Sequence, residues 1–421
     1  MATAFQLAAE QYAALDVDVE QSIARLAEQS ISIQCWQGDD VSGFEQRGTE
    51  LGGGLAVTGK YPGRARNADE LRADAEVALS QLPGRHRFNL HASYAESGPG
   101  RSGPTCSERN QLETGHFGNW IAWAKSLGIG LDFNPTFFAH PLAASGMTLA
   151  HADQGIRRFW IEHGQATRRI AAHFGAELGT AAVHNLWIPD GMKDLPVDRW
   201  GPRARLRDSL DQIFAESFSE SKLIDSVEGK LFGIGSESYV VGSHEFYLGY
   251  ATRRQIAVCL DSGHYHPTEE LAEKLSAVLQ FVPRVLLHVS RGVRWDSDHV
   301  VILNDELRAI ATELVRGDCL ERVRIGLDYF DASINRIAAW VLGVRATQQA
   351  LLQALLEPEK LLRSLEEAGD FTGRLVLMEQ AKQLPWGAVW TEFCERANVA
   401  PGGEWLQTVR NYENNVLSLR R

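Results

Sequence analysis

Eight short runs rich in β-branched, aromatic and aliphatic residues recur along the middle of the chain, and between them the pattern switches to helical period. The runs are ISIQCWQ (31–37), FNLHASY (88–94), GIGLDFNPTF (128–137), AAVHNLWIPD (181–190), LIDSVEGKLF (223–232), QIAVCLDSGHY (255–265), RVLLHVSR (284–291) and RVRIGLDYFD (322–331). Strands that alternate with helices indicate a parallel sheet. Eight such units predict an α/β fold closed into a (β/α)8 barrel of the TIM type; an open doubly wound sheet is the alternative. One intervening helix shows the pattern well. In NADELRADAEVALSQL, Asn67 and Glu70 read as an N-cap with its capping-box partner, and Leu71, Ala75, Ala78 and Leu79 form one apolar stripe.

Two segments fall outside the eight units. Residues 1–30 read as a leading helix. Residues 338–421 read as a strandless helical extension rich in Leu, Ala, Glu and Arg, which leaves 31–337 as the barrel. Such an extension must bury its apolar face on the barrel or on another subunit. An oligomerisation arm is the favoured expectation, with capping of the barrel's own surface as the plainer one.

Composition narrows the class of function. The 421 residues are 44% hydrophobic and 23% charged, with a formal charge of −12, so a surface for nucleic acid or anionic membrane is not expected. The five cysteines (Cys35, Cys106, Cys259, Cys319, Cys394) are widely spaced, without a C-x-x-C, which argues against a zinc ribbon and a disulfide framework. The acidic, amphipathic start lacks the basic region of a signal peptide, and no apolar run approaches the about 20 residues of a membrane span. A cytoplasmic setting is the expectation.

GLAVTGKY (54–61) nearly spells a phosphate-binding loop, but its last position is Tyr61, Pro62-Gly63 stand where a helix should begin, and no strand precedes it. A glycine-rich lid after the first strand is the better account.

In a (β/α)8 barrel the carboxyl ends of the strands build the active site, whereas mid-strand residues build the core. The fifth run reaches Glu228-Gly229-Lys230, the sixth Asp261-Ser262-Gly263-His264, the seventh His288 and then Asp296-Ser297-Asp298, and the eighth Asp328. Singly, each has a bland reading: a strand-end Asp caps the next helix, D-x-D makes a turn, a His satisfies the core and a Lys is solvated. Jointly, five carboxylates on one small rim cannot all ionise without a compensating cation, and a metal, or a pair, supplies it. Carboxylates with one or two imidazoles suit magnesium, manganese, cobalt or zinc, and the expectation is a site without thiolates. His266 falls on the opposite side of an extended segment from His264 and is left out. The first half of the chain adds Trp36, His91, Asn134, Trp187 and Asp190 at strand ends, either as packing or as the aromatic and polar wall of a sugar-sized pocket.

These residues sit in long motifs: QCWQGDDVSGFE (34–45), FNLHA (88–92), WIPDGMKD (187–194), LFGIGSESY (231–239), DSGHYHPTE (261–269), HVSRGVRWDSDHVV (288–301) and GLDYFDASINRIAAW (326–340). Over essentially the whole chain they resemble the bacterial L-rhamnose isomerases. The resemblance implies a (β/α)8 barrel, a homotetramer built partly through the helical tail, and interconversion of L-rhamnose and L-rhamnulose with a divalent metal, usually manganese. It assigns a catalytic manganese to His264, Asp296 and Asp298. A second, structural divalent position, manganese or zinc, falls to Glu228, Asp261, His288 and Asp328. Lys230 is implied as partner of the sugar's first oxygen, with Trp36, His91 and Trp187 around the substrate. Another aldose isomerase or epimerase of the xylose-isomerase-like barrels is the alternative.

Overall fold

In the computed structural model of the chain, residues 2–45, 57–100, 103–230, 238–293 and 297–420 are described. Among them run β1 (Ile31–Gln34), β2 (Arg87–His91), β3 (Gly130–Asn134), β4 (Ala182–Leu186), β5 (Gly191–Met192), β6 (Leu223–Glu228), β7 (Tyr239–Val240), β8 (Ala257–Asp261), β9 (Val285–Val289) and β10 (Val323–Leu327). Eight of them close a parallel barrel in the order β1-β2-β3-β4-β6-β8-β9-β10, while β5 and β7 form a two-residue antiparallel ladder outside it. The open-sheet alternative falls because the last barrel strand pairs with the first, Ile31 with Ile325 and Ser32 with Gly326.

All eight expected runs hold a barrel strand, but the strands stop sooner, at Val289 instead of 291 and at Leu327 instead of 331. The chain leaves the sheet early because rim residues turn: Cys35–Gln37 and Ala92–Tyr94 wind into 3-10 turns directly after β1 and β2. Around the barrel lie α3 (Ala68–Leu79), α4 (Gly118–Leu127), α5 (Gln154–Leu178), α6 (Trp200–Ile213), α7 (His244–Arg254), α8 (Leu271–Val278), α9 (Asp305–Arg316) and α10 (Arg336–Leu355). The expected capping box of α3 is half made. Asn67 accepts from the Glu70 amide, but the Glu70 carboxylate turns back to the amide and guanidinium of Arg66.

The leading segment is two helices, α1 (Ala4–Ala13) and α2 (Val19–Ala27), separated by Asp16 at φ 59°. The boundary expected at 337 cuts α10 near its start. This helix packs on α9, α3 and β1, and the Trp340 indole donates to the Gln34 carbonyl at 2.8 Å, so by its contacts it completes the helical ring. Beyond it come α11 (Glu359–Glu367), α12 (Phe371–Ala381), α13 (Trp386–Arg396) and α14 (Trp405–Asn415). Helix α13 packs on α1 and α2, and α14 on α3, where Arg420 pairs with buried Asp74 at 2.6 Å. Part of the extension therefore caps its own chain. Residues 46–56 of the expected lid lie outside the described residues; where the segment resumes, the Tyr61 amide donates to Ala332 O at 2.8 Å and its hydroxyl to Glu413 at 2.9 Å.

Alternate strand residues face opposite sides. Leu186, Val227, Leu260 and Leu287 join the large core shared with the helices, whereas Ala181, Val183, Ile224, Ala257, Cys259 and Leu286 form a separate apolar cluster within the lumen. Across from that cluster the carboxylate of Asp132 accepts from Arg87 at 2.8 Å, Ser32 at 2.6 Å and the Val183 amide at 2.8 Å. Burial pushes this carboxyl up, but the Arg87 guanidinium outweighs it and holds it below its usual range.

Gly343 within α10 tests the ring packing. A Cβ there would run into the Tyr329 hydroxyl, which donates to Ala339 O at 2.6 Å. Ala normally gains up to about 1 kcal/mol over Gly inside a helix, but overpacking costs roughly 1–3 kcal/mol, so Gly343→Ala should lower stability. Denaturant melts of Gly343→Ala, Tyr329→Phe and the double variant check this, the double being less destabilised than the sum.

Candidate metal centre

Strand register assembles the centre. Asp261 of β8 pairs level with His288 of β9, which pairs level with Gly326 of β10, and Glu228 of β6 pairs level with Cys259 of β8. Gly326 leaves room beneath the imidazole: a Cβ there would already lie 3.4 Å from His288 Cδ2. Asp328 follows just after β10. One ligand atom from each of Glu228, Asp261, His288 and Asp328 lies within 4.8 Å of the others, and only Asp328 retains appreciable exposure.

His288 is 1% exposed. Its Nδ1 lies 3.1 Å from Asp328 Oδ2, 3.5 Å from Glu228 Oε1 and 3.6 Å from Asp261 Oδ2. The 3.1 Å approach looks like a hydrogen bond by distance alone, yet neither ring nitrogen nor Glu228 Oε1 has a partner of acceptable geometry. An imidazole nitrogen and three carboxylates that converge without bonding to one another are arranged for a cation at their common centre.

The electrostatics agree. Burial would depress the His288 imidazolium, but the negative charges of Glu228 and Asp328 beside it push it well above its usual value. Burial raises Glu228, and His288 and His264 outweigh it to hold the carboxyl low, whereas burial dominates at Asp261 and lifts it to about 6. A divalent cation would compensate more of this charge than a protonated imidazole does, and it would compete with the Asp261 proton. Hard carboxylates plus one imidazole fit a hard or borderline divalent ion.

Supporting contacts fix the donors. The Asn185 side chain donates to Glu228 Oε2 at 2.5 Å, the Trp36 indole donates to Asp328 Oδ1 at 3.1 Å, and the Gly263 amide donates to Asp261 Oδ1 at 2.6 Å. His264 Nδ1 lies 3.0 Å from Gly229 O and 3.3 Å from Glu228 Oε1, so the carbonyl holds the tautomer and Nε2 is the nitrogen suited to a ligand. His264 adjoins the four-residue cluster but is not part of it.

The remaining expected residues divide. Asp296 lies outside the described residues. Asp298 is half-buried at φ 46°, on a loop that the Arg291–His299 bridge closes, and no group of metal-ligating atoms among the described residues includes it. Lys230, 6% exposed, donates to Pro189 O at 3.0 Å, with Nζ 5.8 Å from the Trp187 ring. Trp36 meets His91 edge-on at 4.8 Å, His91 meets Phe138 at 5.5 Å and Phe138 meets Trp187 at 6.2 Å, so four rings line one arc of the rim. Burial and the Arg109 charge depress His91 to about 3, so it is a neutral hydrogen-bonding group. Asp190 is engaged elsewhere, accepting from the amides of Thr148 and Ala150, and His266 is exposed, although the segment after Asp261 turns and is not extended.

Sequence reasoning missed three residues. Asn185 and Cys259 lie two residues from Val183 and Asp261 on the same strand faces, a parity that the search for strand ends passed over. The expected site had no thiolate; a sulfur stands close by, with Cys259 Sγ within 4.8 Å of ligand atoms of Glu228 and His288. Phe138 stands in the loop after β3 among other aromatics, and nothing in its spacing marked it.

The fold and this rim define a (β/α)8 barrel protein with a cradle for a divalent ion at the carboxyl ends of its strands. The model of the family described as L-rhamnose isomerase (RhaA) matches residues 1–420. The L-rhamnose isomerase of Enterobacter sp. (strain 638) is 57% identical over 417 residues, 99% of this chain and 98% of that protein, and that of Escherichia coli (strain K12) matches to the same extent. Among solved structures, an L-ribulose 3-epimerase is similar over 79% of this chain and 98% of its own, at 11% identity and a TM-score of 0.49. The chain belongs to the L-rhamnose isomerase family and is an isomerase.

Asn185→Ala leaves Glu228 without its orienting donor. Manganese affinity, measured by calorimetric titration of stripped protein, should fall roughly 10–100-fold, as for other residues that hold a ligand in place. Unchanged affinity would mean that the strand backbone alone positions Glu228.

Proposed function

We propose that the protein interconverts L-rhamnose and L-rhamnulose with divalent cations, manganese foremost, as a cytoplasmic homotetramer. The observation that carries this reading is the 57% identity to L-rhamnose isomerases across 99% of the chain. Glu228, Asp261, His288 and Asp328 hold the cation that anchors sugar and fold. His264, Asp296 and Asp298 hold the one at the reacting carbons, with manganese or zinc at the anchoring position. Bound there, divalent ions supply Lewis-acid polarisation of the sugar's carbonyl and hydroxyl oxygens.

The chain's own residues supply orientation and charge. Lys230, fixed by Pro189 O over the Trp187 ring, faces negative charge that develops on the first oxygen. Neutral His91 bonds a sugar hydroxyl, and the arc of Trp36, His91, Phe138 and Trp187 packs on C–H faces and excludes water. For the tetramer, Phe371, Leu375 and Val376 of α12 are each more than half exposed and offer apolar surface to another subunit. Five free cysteines fit a reducing compartment.

A coupled ketose assay over a panel of aldoses, on stripped and remetallated protein, tests the reading. L-rhamnose should be the preferred substrate, chelation should abolish turnover, and manganese or cobalt should restore it more fully than magnesium. Full turnover in excess chelator, or preference for another aldose, overturns it.

Two sets of variants test the roles. Lys230→Met should lower kcat by roughly 10²–10³ while the fold persists, the range for loss of one preorganised donor. Asp298→Asn should cut turnover by orders of magnitude yet keep sugar binding and melting temperature. Asp328→Asn should lose affinity, stability and activity together, because Asp328 belongs to the strand-end set where geometry is stiffest. Calorimetry, metal content and melting separate the two, and a reversed pattern contradicts the division of labour.

A further inference from the structure

The thiol that sequence reasoning discounted sits at the floor of the metal centre. Cys259 is 2% exposed, pairs level with Glu228 across the β6–β8 ladder, and lies two residues before Asp261 on the lumen face of β8. One ligand atom each from Glu228, Cys259 and His288 lies within 4.8 Å of the others, yet Cys259 does not join Asp261 and Asp328 in a single group. Two cradles thus overlap. The upper is oxygen-rich and the lower contains sulfur, and both draw on Glu228 and His288. Glu228 Oε1 and both His288 ring nitrogens are buried without a partner, so the shared donors are available to either cradle.

We propose that Glu228, Cys259 and His288 form a second, deeper cation position that takes soft divalent ions of the cadmium class. The inference rests on the proposed reading that the upper cradle holds a divalent ion. Hard ions prefer the three carboxylates above, whereas a soft ion gains most from sulfur. The lower position lies in the lumen with Ala257, Val183 and Leu286 around the thiol, so the ion there would be shielded from solvent. Burial keeps Cys259 a neutral thiol, so binding replaces its S–H bond with a sulfur–metal bond and takes the second ring proton from His288, and both protons leave to solvent. An ion in the lower cradle takes Glu228 and His288 away from the upper one. Soft cations therefore expel manganese by competition for shared ligands, although their preferred donor is not a ligand of manganese.

The test titrates the stripped full-length protein with cadmium, reading the near-ultraviolet sulfur-to-metal absorption and, by calorimetry, the affinity. The same titration on manganese-loaded protein reads released manganese by its magnetic resonance signal. Wild type should show the absorption at one equivalent and release manganese as it grows. In Cys259→Ser and Cys259→Ala the absorption should vanish and cadmium affinity should fall about 10–100-fold or more. Circular dichroism checks both variants first, and the near-isosteric serine carries the test if alanine does not fold. Absorption that persists in the variants, which would place the sulfur at exposed Cys106, overturns the inference, as does cadmium bound alongside undisplaced manganese. Manganese uptake without any sulfur absorption in wild type overturns it too and leaves the proposed function standing. Uptake of neither ion overturns both.

Discussion

Three carboxylates and an imidazole held within 4.8 Å of one another in the barrel mouth repel unless positive charge joins them, and much of the upper barrel is organised around that repulsion. Each carboxylate is steadied from outside the cluster: Glu228 by Asn185, Asp328 by the Trp36 indole, Asp261 by the Gly263 amide. These contacts hold oxygens toward one another against their mutual field, so the geometry a cation needs exists before the cation arrives. The carboxylates around His288 favour its protonated form against the burial that opposes it.

The lower barrel answers a similar charge problem in another way. There Asp132 is matched by Arg87, Ser32 and a backbone amide, and the whole group is buried. A buried pair satisfied on every side fixes structure and invites no ligand, whereas the upper cluster leaves nitrogens and an oxygen unpaired. The barrel therefore carries a closed electrostatic knot on β1 to β4 and an open one on β6 to β10.

Strand count and order were legible in the sequence because the period changes from helix to strand eight times, and each change is carried by several residues. Strand ends were read too long, since a residue such as Trp36 suits both an extended strand and the 3-10 turn it occupies. The clustering of Glu228, Asp261, His288 and Asp328 was legible because all four close their runs. His264 stands beside them, and Asp296 cannot be compared because it lies outside the described residues. What escaped was face parity inside the strands. Asn185 and Cys259 look like ordinary core positions in a linear reading, and only the register across β4, β6 and β8 sets them against Glu228. The boundary at 337 falls near the start of α10, which shares its Ala- and Leu-rich composition with the tail, while its partners, α9 and α3, are fixed only by barrel closure.

The bond from Trp36 to Asp328 joins residues 292 positions apart, across the seam where β10 meets β1. Contacts of such separation form late, since the chain must first order everything between them. The strand that seals the barrel thus also carries the last oxygen donor of the cradle into place. In the order of synthesis Glu228, Cys259 and Asp261 precede His288 and Asp328, so sheet and cradle are completed by one and the same closure.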